Sequence, residues 1–198
     1  MATKSSTVNE IVVSGRAITT KETKNSEATI TIVSKCGNNS SYIHFRCNKD
    51  IIPSYKHRAH VTVRGHVRSL RFKDGDRKRT GQVFVADEIN TSRTLTDEKF
   101  GIKGRFFDDP QSKAYIKGVV KRIVDDGDWL RVSVEVDRDI NNRNASTVLM
   151  SMKKLDRQPK INIGDVLCVV AGIVTHKKTV EGKNIYFEDL VVQDFAIA

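Results

Sequence analysis

The sequence predicts an all-β protein that contains two similar five-stranded barrels in tandem. Ten short segments are strand-like, and most of them alternate between apolar and polar residues, which is the pattern of a strand with one buried face. The same order of segments occurs twice along the chain at a nearly constant offset. No segment has the apolar period of a long amphipathic helix. Together these observations favour two copies of one small β unit.

The first five predicted strands fall within about 90 residues, with turn residues between them. They are Glu10–Ile18, Ala28–Val33, Tyr42–Cys47, Val61–Arg68 and Gln82–Ile89. Between the third and the fourth, Lys49–Lys56 is long enough for a short helix or a helical turn, which Pro53 limits.

The second set of strands repeats this order. They are Ala114–Val120, Trp129–Val136, Thr147–Met152, Val166–His176 and Ile185–Val192. Gly15 and Gly118, in the first strand of each set, are 103 positions apart, and Gly65 and Gly172, in the fourth, are 107 apart. We therefore predict one unit over residues 1–92, a connector over 93–112 and a second unit over 113–198.

Five short strands with a weak helix between the third and the fourth are typical of the oligonucleotide/oligosaccharide-binding fold, the OB-fold. A generic Greek-key sandwich is the alternative, but the repeat length and the position of the weak helix favour the five-stranded Greek-key barrel. A glycine in the middle of a long strand also suits a small barrel, because the strand must coil sharply there.

Composition and charge limit the possible functions. The 198 residues carry a net charge of +10, and residues 1–97 hold 17 basic and 9 acidic residues against 17 and 15 in residues 98–198. A basic unit attracts polyanions such as nucleic acid, although a basic surface can also simply keep a protein soluble. Three scattered cysteines, no long apolar run and no apolar segment in Met1–Glu10 predict a cytoplasmic protein without a membrane span.

Alternation predicts which side chains of the first unit face outward. In the third strand Tyr42, His44 and Arg46 point away from the core, and in the fourth strand Arg64, His66 and Arg68 do. The turn signal Asp74-Gly75-Asp76 then predicts a protruding hairpin with a basic tip and one aromatic residue. The tip residues are Arg71, Phe72, Lys73, Arg77, Lys78 and Arg79. Cations and flat rings in one surface are what unpaired nucleic acid needs for phosphate neutralisation and base stacking.

The second unit has fewer such residues. Trp129 and Arg131 share the outward face of its second strand and could stack on a base and clamp a phosphate, although Trp129 could equally be a barrel-rim residue. Both faces of strand 166–171 are apolar, so we expect both to be buried. One face would fill the barrel, and the other would meet the first unit or a second chain.

Four motifs carry a resemblance to a known family. They are Asn9 with Gly15-Arg16, the strand Tyr42-Ile43-His44-Phe45, the run Gly65-His66-Val67-Arg68-Ser69 with Arg71-Phe72, and the closing strand 83–89. Over residues 8–92 the first unit thereby resembles the bacterial single-stranded DNA-binding proteins. The second unit resembles them only through the internal repeat.

The resemblance implies that Tyr42 and Phe72 stack on bases and that basic residues of the hairpin contact phosphates. It also implies four barrels per assembly, hence a homodimer of two-barrel chains, and a role in DNA replication and repair. The family's acidic C-terminal tip has no counterpart in Val191–Ala198, and the loop Cys36–Ser41 lacks the additional stacking aromatic often found there.

Three other functions stay open on the sequence alone. The barrels could bind RNA or serve a primosome, or they could be protein-interaction modules. An enzyme is disfavoured, because Asp125, Asp126 and Asp128 flank Gly127 in a turn, where aspartate is common for backbone reasons. The histidines 57, 60 and 66 match no metal-ligand spacing. We therefore expect single-stranded DNA as the partner, and no metal, cofactor or small-molecule substrate.

Overall fold

The computed structural model describes residues 7–22, 26–36, 39–54, 59–74, 77–91, 112–136, 146–180 and 182–198, and for 71–74 and 77–80 it describes the backbone alone. Residues 93–111 of the predicted connector and the turn residues 75–76 lie outside these ranges, whereas residue 112 belongs to a strand. Among the described residues, the structure contains no helix that could span a membrane.

Ten strands make up nearly all of the described chain, so the all-β prediction is confirmed. Each predicted segment lies within a strand, and most of the strands are longer than predicted. They are β1 Val8–Glu22, β2 Glu27–Cys36, β3 Asn39–Asn48, β4 His60–Asp74, β5 Arg77–Thr91, β6 Ser112–Asp126, β7 Trp129–Val136, β8 Ser146–Lys153, β9 Val166–Val180 and β10 Lys183–Ile197. The predicted helical turn is a single 3-10 turn, Lys49–Ile51. Asn48 caps its N-terminus, because the Asn48 side chain accepts a hydrogen bond from the Asp50 amide.

The strand pairings close into two rings. In the first ring, β1 pairs with β2 and β4, β2 pairs with β3, and β5 joins β4 to β3, the last pairing being parallel. The second ring repeats this order with β6, β7, β8, β10 and β9. The antiparallel pairing of β1 with β6 joins the rings, and within it Ile11 faces Ala114. Those two residues are 103 positions apart, as are Gly15 and Gly118, so an approximate two-fold axis passes through this pair.

Each ring encloses the apolar side chains that the alternation assigns to its core. In β3, Ile43 and Phe45 are fully buried, and in β4 Val61, Val63 and Val67 are. The ring of Phe45 packs against that of Phe84 on β5, with 5.9 Å between the ring centroids. The predicted inward faces of β3 and β4 are therefore confirmed.

A glycine in the first strand of each ring marks a close approach of backbones. A Cβ added to Gly15 would lie 2.2 Å from the Val33 carbonyl oxygen, and one added to Gly118 would lie 2.2 Å from that of Glu135. A one-residue irregularity in the pairing follows each glycine, as expected where a strand bends. The glycines are thus required because the second strand of each ring crosses the first without room for a side chain.

The expectation that both faces of strand 166–171 are buried holds for one face only. Leu167, Val169 and Ala171 fill the second ring, and Val169 is 4 % exposed. On the outer face, Cys168 and Val170 are only half-buried. They help to line an apolar groove of about 370 Å³ together with Val8, Tyr115 and Phe195.

Candidate nucleic-acid interface

The predicted outward row of β3 is exposed. Tyr42 is 47 % exposed, and His44 and Arg46 are exposed as well, while the side chains between them are buried. The rigid alternation of a paired strand thus presents a ring, an imidazole and a guanidinium on one surface.

The outward rows of β3 and β4 meet across β5. Arg46 is the register partner of Val85, and Val85 is the register partner of His66. A cleft of about 260 Å³ opens beside this band, and His44, Arg46 and Val83 are among its lining residues. The structure therefore brings together two rows that are about 20 residues apart in sequence.

The basic side chains of this surface differ in whether a carboxylate lies beside them. Arg64 lies 3.7 Å from a Glu10 carboxylate oxygen, and Nδ1 of His66 lies 2.8 Å from an Asp87 carboxylate oxygen.

By contrast, Arg46 has no ion pair or hydrogen bond from its guanidinium within the described ranges. The Nε of Arg68 is buried and has no hydrogen-bond partner there either. Arg46 is thus the exposed cation of this band whose charge is available to a phosphate.

The predicted hairpin is confirmed for its backbone. β4 and β5 stay paired up to Asp74 and Arg77, with Phe72 opposite Arg79 and Lys73 opposite Lys78. The side chains of Arg71, Phe72, Lys73, Arg77, Lys78 and Arg79 lie outside the described part of the chain, so their binding role stays a prediction.

The second ring has a cleft of about 240 Å³ on its outward side, lined by Trp129, Arg131, His176, Phe187 and Asp189 among others. The imidazole of His176 stacks on the ring of Phe187, with 5.3 Å between the centroids. Sequence reasoning found Trp129 and Arg131 but missed His176 and Phe187. Alternation places both residues at outward positions of neighbouring strands, but the pairing of β9 with β10 was needed to bring them together.

Carboxylates neutralise the arginine of this cleft. Arg131 Nη1 donates to Asp189 at 3.1 Å, and its Nε lies 3.5 Å from an Asp126 oxygen. Ser151 also donates to Asp189 at 2.6 Å and accepts a short hydrogen bond from Arg131. The Asp189 side chain is only 14 % exposed.

Arg131 and Ser151 are register partners between β7 and β8, just as Thr29 and Arg46 are between β2 and β3. The two rings thus place one guanidinium in the same cross-strand pair. Arg46 on β3 has no partner among the described residues, whereas Arg131 on β7 is ion-paired.

Hydrogen bonds between the rings hold the β9–β10 hairpin against β3. The Thr175 hydroxyl accepts from the Tyr42 amide and donates to the Tyr42 carbonyl, both at 2.9 Å. Glu188 accepts from the His44 amide at 3.0 Å, and its oxygen lies 2.5 Å from Nδ1 of His44.

The two-fold relation repeats these contacts with the roles of the rings exchanged. The Ser69 hydroxyl accepts from the Thr147 amide at 3.4 Å, and the Gln82 side-chain oxygen accepts from the Leu149 amide at 3.0 Å. The sequence shows no sign of these contacts, because they join residues up to 144 positions apart.

The carboxylates that precede Gly127 take part in ion pairs. Asp125 binds Lys154 Nζ at 2.6 Å and Asp126 lies near Arg131, so these turn carboxylates take part in surface ion pairs. Burial raises the pKa of the Cys47 thiol, which disfavours the nucleophilic thiolate. Within the described ranges, no group of three or more histidine, cysteine or acidic residues could hold a metal ion.

Comparison with solved structures finds proteins of similar fold. The wild-type single-stranded DNA-binding protein from Thermus aquaticus superposes with a TM-score of 0.63 at 12 % identity, over 98 % of this chain and 94 % of that one. A deletion mutant of the same protein gives a TM-score of 0.63 at 10 % identity, over 98 % and 95 %. The chain shares their fold. Neither a family model nor a curated protein sequence matches it.

Proposed function

We propose that the protein binds single-stranded DNA, without catalysis and with little preference among bases. The observation that carries the proposal is the exposed band in which Tyr42 and His44 accompany Arg46, whose guanidinium has no partner in the described part of the chain. A ring offers stacking to any base, and a free cation offers neutralisation to any phosphate. The fold shared with a single-stranded DNA-binding protein supports this reading of the band.

The first ring would bind through two kinds of side chain. Tyr42 and Phe72 would stack on bases, while the basic residues would contact phosphates. Those residues are Arg46, Arg64, Arg68, Arg71, Lys73, Arg77, Lys78 and Arg79, with His44 and His66 between them. The second ring would be auxiliary, with Trp129 as a stacking surface and with Arg131 engaging a phosphate only by exchanging a carboxylate partner.

We further propose a cytoplasmic homodimer that serves DNA replication and repair. The outer face of β9 supports the dimer, because Cys168 and Val170 line an apolar groove that a second copy would cover. A charge introduced by Val170→Asp should shift the dimer to a monomer in light scattering. Val169 is unsuitable for this test, because it is buried in the core of the second ring. A wild-type chain that is monomeric at tens of micromolar would refute the dimer.

The binding function is tested by titrating the protein with poly(dT), poly(U) and duplex DNA at two salt concentrations. We expect tight binding to poly(dT), weak binding to duplex and strong salt dependence. Equal affinity for duplex, or no dependence on salt, would refute the proposal. Preference for poly(U) would instead favour an RNA-binding function.

Two classes of variant separate stacking from phosphate contact. Phe72→Ala should weaken binding by about 1–3 kcal/mol and leave the slope of log affinity against log salt unchanged. Arg68→Ala should lower the magnitude of that slope by about 0.7, the single-strand value for one phosphate contact. Val63→Ala, in the core, is the control and should reduce binding only through loss of folded protein.

A further inference from the structure

The β9–β10 hairpin of the second ring lies directly beside the outward row of the first. Its Thr175 holds the main chain of Tyr42 through two hydrogen bonds, and its Glu188 holds the main chain and the ring of His44. These contacts join the backbone of β3 to side chains of the hairpin. The hairpin is therefore fixed in position relative to the proposed binding row.

The next residues along the same side of this hairpin are an aromatic and a cation. Thr175 and Glu188 are register partners, and the next pair on that side is Lys177 opposite Tyr186. Two residues along a strand span about 7 Å, so this pair begins close to the point where the hairpin touches β3. Tyr186 is 55 % exposed and Lys177 is exposed, so neither side chain is packed in the core of the second ring.

The carboxylate at this junction is engaged by β3. Glu188 is half-buried, and one of its oxygens is engaged by both the amide and the ring of His44. Asp189, the next residue, lies on the other side of the hairpin, where it binds Arg131 and Ser151. In the described part of the hairpin, two charged residues therefore neighbour Tyr186 on the same side. They are Glu188, which is hydrogen-bonded to His44, and Lys177, which is exposed.

We propose that the nucleic-acid surface of the first ring continues onto the hairpin of the second. Tyr186 stacks on a base there, and Lys177 neutralises a phosphate of the same strand. This inference rests on the proposed single-stranded DNA binding and adds a site composed from both rings. A bound strand would then run from Arg46 past Tyr42 and across the hairpin.

The test measures the affinity of a labelled oligo(dT) for variants of the full chain by fluorescence anisotropy. Tyr186→Ala should weaken binding about 5- to 150-fold with an unchanged salt slope, and Tyr186→Phe, which keeps the ring, should bind like the wild type. Lys177→Ala should lower the magnitude of the slope by about 0.7. Lys160→Ala removes an exposed lysine from the β8–β9 loop and is the matched control with an unchanged slope.

The outcomes separate this inference from the proposed function. If Tyr42→Ala weakens binding while Tyr186→Ala and Lys177→Ala bind like the wild type, the composite site is refuted and the DNA-binding function stands. If the wild-type chain fails to bind oligo(dT), both are refuted. Thermal melting of each variant checks folding, and because both side chains are exposed we expect unchanged midpoints.

Discussion

Replacing the two corresponding arginines, one in each ring, tests how charge is divided between the rings. Arg46 on β3 and Arg131 on β7 occupy the same cross-strand pair of their respective rings. Arg46 has no partner in the described chain, whereas Arg131 is held by Asp189 and Asp126 at 3.1 and 3.5 Å. Arg46→Ala should therefore affect DNA binding, and Arg131→Ala should affect chiefly the stability of the second ring.

The expected size of each effect follows from these pairings. A free guanidinium that neutralises one phosphate of a single strand contributes about 0.7 to the slope of log affinity against log salt. When the salt concentration rises from 50 to 200 mM, the affinity of both proteins for oligo(dT) falls. The fold-loss should be about 2.6 times smaller for Arg46→Ala than for the wild type. Arg131 only exchanges a carboxylate for a phosphate, so its removal should change the slope by much less. Its removal leaves the half-buried Asp189 with one fewer donor, at a cost of about 1 kcal/mol of unfolding free energy.

The assay is a series of oligo(dT) titrations at four or more salt concentrations, with urea unfolding of each variant. Lys160→Ala serves as the exposed-charge control here as well. The reasoning is refuted if Arg131→Ala lowers the slope as much as Arg46→Ala does. It is equally refuted if Arg46→Ala leaves the slope at the wild-type value.

Three further predictions concern stacking, the junction between the rings, and the close backbone approaches. Tyr42→Ala should weaken oligo(dT) binding by about 1–3 kcal/mol at every salt concentration, and an equal affinity for the variant would place the stacking surface elsewhere. Glu188→Gln should keep the melting temperature, because the Gln82 side chain accepts the corresponding hydrogen bond in the other ring. The variant should bind oligo(dT) more tightly, since it lacks the negative charge beside His44. Gly118→Ala should destabilise the chain by more than about 3 kcal/mol in urea unfolding, because its Cβ would lie 2.2 Å from a carbonyl oxygen, and a near-native midpoint would contradict this geometry.

Alternation in the sequence was sufficient to predict the strands and, in β3 and β4, their inner and outer faces. It succeeds there because Ile43 and Phe45 differ sharply in polarity from Tyr42, His44 and Arg46, so only one register buries the apolar set. The repeat offset of 103 was also readable, and it recurs as the pairing of Ile11 with Ala114. In β9 the same method could not choose a face, because Val166–Ala171 is apolar on both sides.

Only the tertiary structure decided which charges are free and which surfaces are neighbours. Arg46 and Arg131 look alike in sequence, and the difference between them arises because Asp189 lies 58 positions from Arg131 and reaches it through the pairing of β8 with β10. The contact of Glu188 with His44 spans 144 positions. Alternation reports the local periodicity of a strand, whereas such contacts depend on how two closed rings are placed together by β1 and β6.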